Sequence, residues 1–274
     1  MKIVLIGSGN VATHLGRALQ AAGHAVLQVW SRQLANASTL GSILGCDVTD
    51  RLDQLDPAAD LYVLSVSDNA IPLISEQFPY KDKLLVHTSG ATSLNAITSA
   101  SLRTGVFYPL QTFSKEKEVD FRRIPIAIEG DTAETTEVLL RLAQDISHWA
   151  EVISSEQRKV IHIAAVFACN FSNLLYSIGE EILAHEGLSF DLLRPLIAET
   201  AEKAAHYSPL EVQTGPARRR DSETIGRHLD YLRGNEELSS IYRLLTEAIV
   251  SRYKGNDSSE DQHSQGRRDV YNGQ

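Results

Sequence analysis

Apolar positions follow two different rhythms along this chain, and the change between them divides it. From residue 2 to about residue 153, short apolar runs alternate with segments whose apolar residues recur every three or four positions. Lys2–Ile6 reads as a first strand, and a second closes at Trp30. Between them a helix from Asn10 to about Ala22 carries Val11, Leu15, Ala18, Leu19 and Ala22 on one face, with Gly23 where a C-cap belongs. Leu61 to Val66 reads as a strand buried on both sides, followed by Ser67 and Asp68 as the capped entry of a helix. Further strands are expected at Lys83–His87, Gly105–Tyr108, Ile124–Glu129 and Ala150–Ile153, with a helix from about Thr132 to Asp145. This alternation requires right-handed crossovers and gives an open, mainly parallel sheet with helices on both faces.

Beyond residue 153 the strand signals stop. Glu156 to about His185 reads as one long helix, with Val160, Ile163, Phe167, Phe171, Leu174, Ile178 and Ile182 on one stripe and Ile161, Ala164, Ala168 and Leu175 on another. A helix that is apolar on two faces must be covered on two faces. Three more helices are expected at about Ser189–Ala205, Ser222–Leu232 and Glu236–Tyr253. Either these or a second subunit supply the cover, and a homodimer through this region is the expectation. The reading is therefore α/β: a Rossmann-type, mainly parallel sheet in residues 1–153, an all-helical domain for substrate and dimerisation in 154–254, and a disordered tail in 255–274.

The first strand runs without a gap into Gly7-Ser8-Gly9-Asn10-Val11-Ala12. In such a turn Gly7 permits the sharp bend, Gly9 leaves room for a pyrophosphate, and Ala12 allows helix and strand to pack closely. The free amides at the helix start favour an anion. Gly7, Ser8, Gly9, Asn10 and Val11 are accordingly dinucleotide candidates. The end of the second strand, where an NAD site usually carries Asp or Glu, holds Ser31 and Arg32. A hydroxyl and a guanidinium suit a 2′-phosphate that a carboxylate would repel, so NADP is preferred and NAD is kept as the alternative.

Composition narrows the setting. The 274 residues are 43% hydrophobic, enough for a substantial core without staples. With 26 Lys plus Arg against 35 Asp plus Glu, the formal charge of −9 argues against nucleic acid or anionic membrane as partner. Cys46 and Cys169 are too few and too far apart for a metal site or disulfide framework, and both read as buried residues in a reducing cytoplasm. No signal peptide and no apolar run of membrane-spanning length are expected.

Ligands of such sheets sit at the carboxyl ends of the strands. Ser65, Val66 and Ser67 end one strand and are read as cofactor contacts. Ser89 and Gly90 end the next, and Gln111 follows Tyr108-Pro109-Leu110; these three are substrate-pocket candidates, with a plain turn as the alternative for Ser89-Gly90. In the long helix Asn170 and Asn173 interrupt apolar surroundings, and Asn170 is the better placed to face a cleft. His162 precedes Asn170 by two turns but lies roughly 80° around the helix, and is read as packed or solvated. Arg218, Arg219 and Arg220, before the cap residue Asp221, either bind an anion or pair with this protein's own carboxylates.

The chain resembles a bacterial family of Rossmann-like NAD(P)-binding oxidoreductases whose helical C-terminal domain has no assigned function. The resemblance rests on Gly7 to Ala12, Val63 to Ala70, His87-Thr88-Ser89-Gly90, Tyr108 to Phe113, the Asn170 helix, and Thr214-Gly215-Pro216 through Asp221 to His228. More remotely it is similar to pyrroline-5-carboxylate reductase, the 6-phosphogluconate and 3-hydroxyisobutyrate dehydrogenases and the deazaflavin-dependent NADP reductases. That wider group implies hydride transfer in a cleft between two domains, commonly within a dimer. Two departures matter: Val166 stands where the hydroxyacid dehydrogenases have a lysine, and Tyr108 stands where the nearer family often has His. A phenol is a plausible proton donor and a poor base near neutral pH. The expectation is an NADP(H)-dependent reductase of a small imine or carbonyl compound, with Asn170 and Tyr108 as catalytic candidates and no metal. A non-catalytic NADP sensor or scaffold and a deazaflavin-linked reductase are the alternatives.

Overall fold

The computed structural model describes residues 1–114 and 117–253. The tail expected at 255–274 lies outside them. The chain divides into two compact units, Met1–Ile178 and Gly179–Gln274.

The first unit is built on eight strands: β1 (Lys2–Ile6), β2 (Ala25–Trp30), β3 (Asp47–Thr49), β4 (Leu61–Leu64), β5 (Leu84–His87), β6 (Arg103–Pro109), β7 (Ile126–Gly130) and β8 (Ala150–Val152). They lie in the order β3-β2-β1-β4-β5-β6-β7-β8, and β6 with β7 is the antiparallel pair among otherwise parallel neighbours. Side chains alternate across each strand, so one sequence supplies two cores. Ile3, Leu5, Val63, Val86 and Phe107 pack with α1 (Asn10–Ala21), α2 (Leu34–Leu44) and α4 (Ala133–Ile146). Val4, Ile6, Tyr62, Leu64, Leu85 and Val106 face the other way, with α3 (Ala70–Glu76) and Phe78.

The elements α2 and β3 are additions to the sequence expectation. The α2 segment is rich in Ser, Thr, Asn and Gly, which are weak helix formers, and its place is decided by packing. A Cβ on Gly41 would lie 2.2 Å from Val48 Cγ1, so the helix meets β3 only through a glycine. Ser67 and Asp68 are also corrected. The N-cap of α3 is Asn69, without a side-chain hydrogen bond, because the backbone carbonyls of Ser67 and Asp68 receive the Ala70 and Ile71 amides and leave both side chains free of capping duty.

The expected long helix is present with one interruption: α5 (Ser155–Ala165), a π-helical segment at Val166–Phe171, and α6 (Ser172–His185). Its start is fixed by a capping box between Ser154 and Gln157. Arg158, 1% exposed, then docks α5 on β7 by pairing with Glu129 at 2.6 Å, so α5 counts with the sheet. By length and composition Ser155–His185 is long and apolar enough to cross a membrane, contrary to expectation, because its interrupting residues Asn170, Ser172 and Asn173 are polar but uncharged. Val160, Ile163, Phe167, Phe171, Leu174 and Leu175 are all exposed. Cys169 is exposed too, and Cys46 is half-buried, which corrects the expectation of two buried thiols.

The second unit continues α6 into α7 (Arg194–His206), α8 (Pro216–Arg219), α9 (Ser222–Tyr231) and α10 (Glu236–Arg252). Ser189 caps a short 3₁₀ turn before α7, which shortens that helix relative to expectation. The arginine run is engaged inside this unit. Arg218 stacks over the Tyr253 ring at 4.2 Å, Arg220 donates to the Tyr253 carbonyl, and Asp221 caps α9 through Thr224.

Candidate functional site

Strand order reverses between β1 and β4, and a cleft of about 850 Å³ opens at the carboxyl ends there. Its lining comes entirely from the first unit. Gly7, Ser8, Gly9, Asn10 and Val11 form one wall, Ser31 and Arg32 a second, and Ser65, Val66, Ser67 and Asp68 a third. Ser89, Gly90, Gln111 and His162 also line it.

The glycine turn has the shape required of a phosphate cradle. Gly7 has φ +129°, and a Cβ there would sit 2.2 Å from the Ser65 carbonyl oxygen, so β1 and β4 can come together only without a side chain. A Cβ on Gly9 would meet nothing within 4 Å, which leaves open space in front of the start of α1. Ala12 is fully buried against the sheet, and Gly23, at φ +87°, lets its amide and that of His24 close the end of α1 on Gln20 and Leu19. Ser8 donates to the Ser31 hydroxyl at 3.1 Å, tying the turn to the end of β2. Arg32 is exposed beside it. Ser65 Oγ is buried without a hydrogen-bond partner among the described residues. Open space before an amide-rich turn, with Arg32 on one side at the end of β2 and an unpartnered hydroxyl on the other at the end of β4, fits an NAD(P) dinucleotide.

Toward the other end of the cleft His162 lines the wall and meets Tyr108, which is not itself a lining residue. Tyr108 Oη lies 3.3 Å from His162 Nδ1, the rings meeting edge to face. Gly90 makes the meeting possible: a Cβ there would be 2.6 Å from Tyr108 Cζ and 2.8 Å from His162 Nδ1. Burial raises the Tyr108 pKa above the usual phenol value, the Arg158 charge lowers it in part, and Asp68 adds to the rise. Tyr108 is therefore a group that keeps its proton. Below the pair, Arg158 donates to Glu129, to the Thr92 carbonyl and to Ser155. Burial raises the Glu129 pKa, but hydrogen bonds from Arg158 and Ser155 outweigh it and leave the carboxyl below its ordinary value. His87, buried behind the cleft, is pushed down to about 4 by burial and then by the Arg158 charge.

All ten residues read as cofactor contacts line the cleft, as do Ser89, Gly90 and Gln111. Ser89 has a second task, since its hydroxyl accepts the Ala91 and Thr92 amides and shapes the turn. The Asn10 side chain donates to the Phe113 carbonyl, so only its backbone is available at the helix start. Asn170 lies in the π-helical segment, exposed, and does not line the cleft. His162 does. The sequence signal for it was its position one turn after Arg158 on α5, a residue that β7 holds in place.

Residues 2–90 match the family model described as NADP oxidoreductase, coenzyme F420-dependent, and residues 124–249 match the domain of unknown function DUF2520. A solved structure described as a "putative NADP oxidoreductase" from Bacteroides fragilis is 40% identical, covers 91% of this chain and 98% of its own, and superimposes with TM-score 0.85. Two more distant structures share the fold. One, a 1-pyrroline-5-carboxylate reductase from Streptococcus pyogenes, has 15% identity, coverage of 92% and 98%, and TM-score 0.61. The other, an imine reductase from Streptomyces aurantiacus, has 13% identity, coverage of 94% and 95%, and TM-score 0.65. The comparison with curated proteins gave no match.

Proposed function

The chain belongs to the family of the Bacteroides fragilis protein, an NADP-binding Rossmann-type region joined to a DUF2520 helical region, and on that premise we propose that it is an NADP(H)-dependent reductase of a small imine or carbonyl compound. The observation that carries the proposal is the single cleft that holds the Gly7–Gly9 turn and Arg32 toward one end and His162, hydrogen-bonded to Tyr108, toward the other. Gly7, Ser8 and Gly9 would hold the pyrophosphate through backbone amides, and Ser31 with Arg32 would hold the 2′-phosphate. NADPH, when bound, supplies hydride. The protein's own part is to orient the C=N or C=O carbon and to provide a proton on the heteroatom. Tyr108 holds that proton near neutral pH, and the His162 ring, hydrogen-bonded to it, lines the cleft and connects it to the substrate space. Ser89, Gly90 and Gln111 shape the space around the substrate.

Binding and turnover test this directly. Fluorescence titration is expected to show NADPH binding at least tenfold more tightly than NADH, with Arg32→Ala removing most of the difference, since a charge-assisted hydrogen bond contributes about 1.5–3 kcal/mol. Equal affinities would overturn the 2′-phosphate assignment. A panel of cyclic imines, ketones and aldehydes is expected to yield NADPH oxidation with at least one class. The rival, a non-catalytic NADP sensor, is motivated by Val166 in place of a lysine and predicts no oxidation while NADP changes the association state. The description of the family that matches residues 2–90 motivates a deazaflavin as the other hydride carrier, tested by supplying one as acceptor in the same assay.

We further propose that the protein works as a homodimer through α5, the π-helical segment and α6. Seven large hydrophobic side chains of one helical run stand exposed, including Phe167 at 67% and Val160 at 66%. The same run carries the buried Arg158–Glu129 pair at its start, which docks it on a sheet and favours a protein partner over a lipid one.

A further inference from the structure

Resting on the reductase reading above, we propose that Asp68 selects the substrate by charge, favouring a cationic iminium that carries no carboxylate over neutral carbonyl compounds and acids. Asp68 follows β4, lines the cleft, and is exposed to it. Its carboxylate makes no hydrogen bond or ion pair with any described residue. Among the described residues lining the cleft, it is the sole carboxylate, and Arg32 is the sole Lys or Arg.

The two charges are separated by the strand order. Arg32 follows β2, and β5, which leads to Ser89 and Gly90, lies three strand spacings away in the sequence β2-β1-β4-β5. That is about 14 Å at ~4.8 Å per spacing. Asp68 follows β4, the immediate neighbour of β5, and its charge acts on both Tyr108 and His87. Arg158 opposes Asp68 at both of those groups, but its guanidinium is 1% exposed, paired with Glu129 and absent from the cleft lining, so it offers no contact to a ligand there. His162 is the remaining titratable group of the cleft lining at this end. A carboxylate substrate would meet Asp68 with no cation to receive it, whereas a cation would find an anion already in place.

The chemistry suits an iminium. A neutral imine takes up one proton on nitrogen, from solvent or through the hydrogen-bonded Tyr108–His162 pair, of which His162 lines the cleft. The iminium carbon then accepts hydride from NADPH, the C=N π electrons settle on nitrogen, and the products are a secondary amine and NADP⁺. The amine is protonated in water, so the product is again a cation that Asp68 can hold.

Two measurements on the full-length protein decide the matter. Steady-state NADPH oxidation is compared for 1-pyrroline, a pyrroline carboxylate and cyclopentanone, in wild type, Asp68→Asn and Asp68→Glu. Calorimetry of the NADP⁺ complex is run with pyrrolidinium chloride as the probe, and NADPH affinity confirms that each variant is folded. The expected result is that the imine-to-ketone ratio of kcat/KM falls at least tenfold in Asp68→Asn and returns in Asp68→Glu, and that the pyrrolidinium Kd rises at least fivefold in Asp68→Asn. An unchanged ratio in an enzyme that still reduces ketones overturns the role of Asp68 and leaves the reductase reading standing. If no compound is reduced, the reductase reading fails, and pyrrolidinium binding that is absent or indifferent to Asp68→Asn overturns the charge argument independently.

Discussion

Acidification should destabilise this protein through one histidine, and the size of the effect follows from where that histidine sits. His87 ends β5 with 0% exposure; its Nδ1 accepts the Ser89 amide at 3.2 Å, and its Nε2 has no partner among the described residues. Burial, reinforced by the Arg158 charge, lowers its pKa from 6.5 to about 4. A depressed folded-state value means that the unfolded chain takes up a proton first as pH falls. The neutral ring therefore contributes stability that is fully present above the unfolded pKa of 6.5 and is lost as pH falls toward the folded value near 4. The full shift corresponds to about 3 kcal/mol, of which about 2 kcal/mol is lost between pH 7 and pH 5. The control is His87→Asn, whose Oδ1 can still accept the Ser89 amide but cannot titrate. Urea unfolding of both proteins at pH 7, 6, 5 and 4 gives the difference in stability at each pH, which cancels the carboxylates and the other histidines common to both. That difference should shrink in favour of the variant by about 2 kcal/mol at pH 5 and about 3 kcal/mol at pH 4. A difference constant to within about 0.5 kcal/mol would mean that the imidazole is hydrated or charges in place, with no such pH dependence.

Three further outcomes are expected. Gly90→Ala places a methyl group 2.6–2.8 Å from Tyr108 and His162 and should part them, lowering kcat on the order of 10²-fold with NADPH affinity nearly unchanged; a full-rate variant would remove the pair from the mechanism. Glu129→Ala leaves the Arg158 charge buried and unpaired and should cost about 3–5 kcal/mol in chemical denaturation, against a smaller loss if water reaches the guanidinium. Phe167→Asp on the exposed helical face should convert a dimer to monomer in light scattering at micromolar concentration, and an unaltered mass would place the interface elsewhere.

Legibility differed by the range of the interaction. The Gly7–Ala12 turn, the alternating strands and the approximate starts of α4 and α5 were readable because each is set by backbone conformation or periodicity within a few residues. Ser31 and Arg32 were readable as a consequence, since β2 must end beside β1. The expected cap role of Ser67 and Asp68 misled because the cap fell one residue later, on Asn69, which turned both side chains over to the cleft. Asn170 was chosen by helical geometry over an uninterrupted run, and the π-helical segment that contains it changes that geometry.

The α/β alternation, the dinucleotide turn and the cation where NAD sites have an acid are written in short stretches of the chain, because steric freedom at glycine, side-chain alternation and charge are local properties. The meeting of Tyr108 with His162 across 54 residues over Gly90, and the hold of Arg158 and Glu129 on the helix, arise from the packed fold. Those contacts depend on how β5, β6, β7 and α5 converge, and convergence comes from the packing of two cores and a buried charge pair that no single segment encodes.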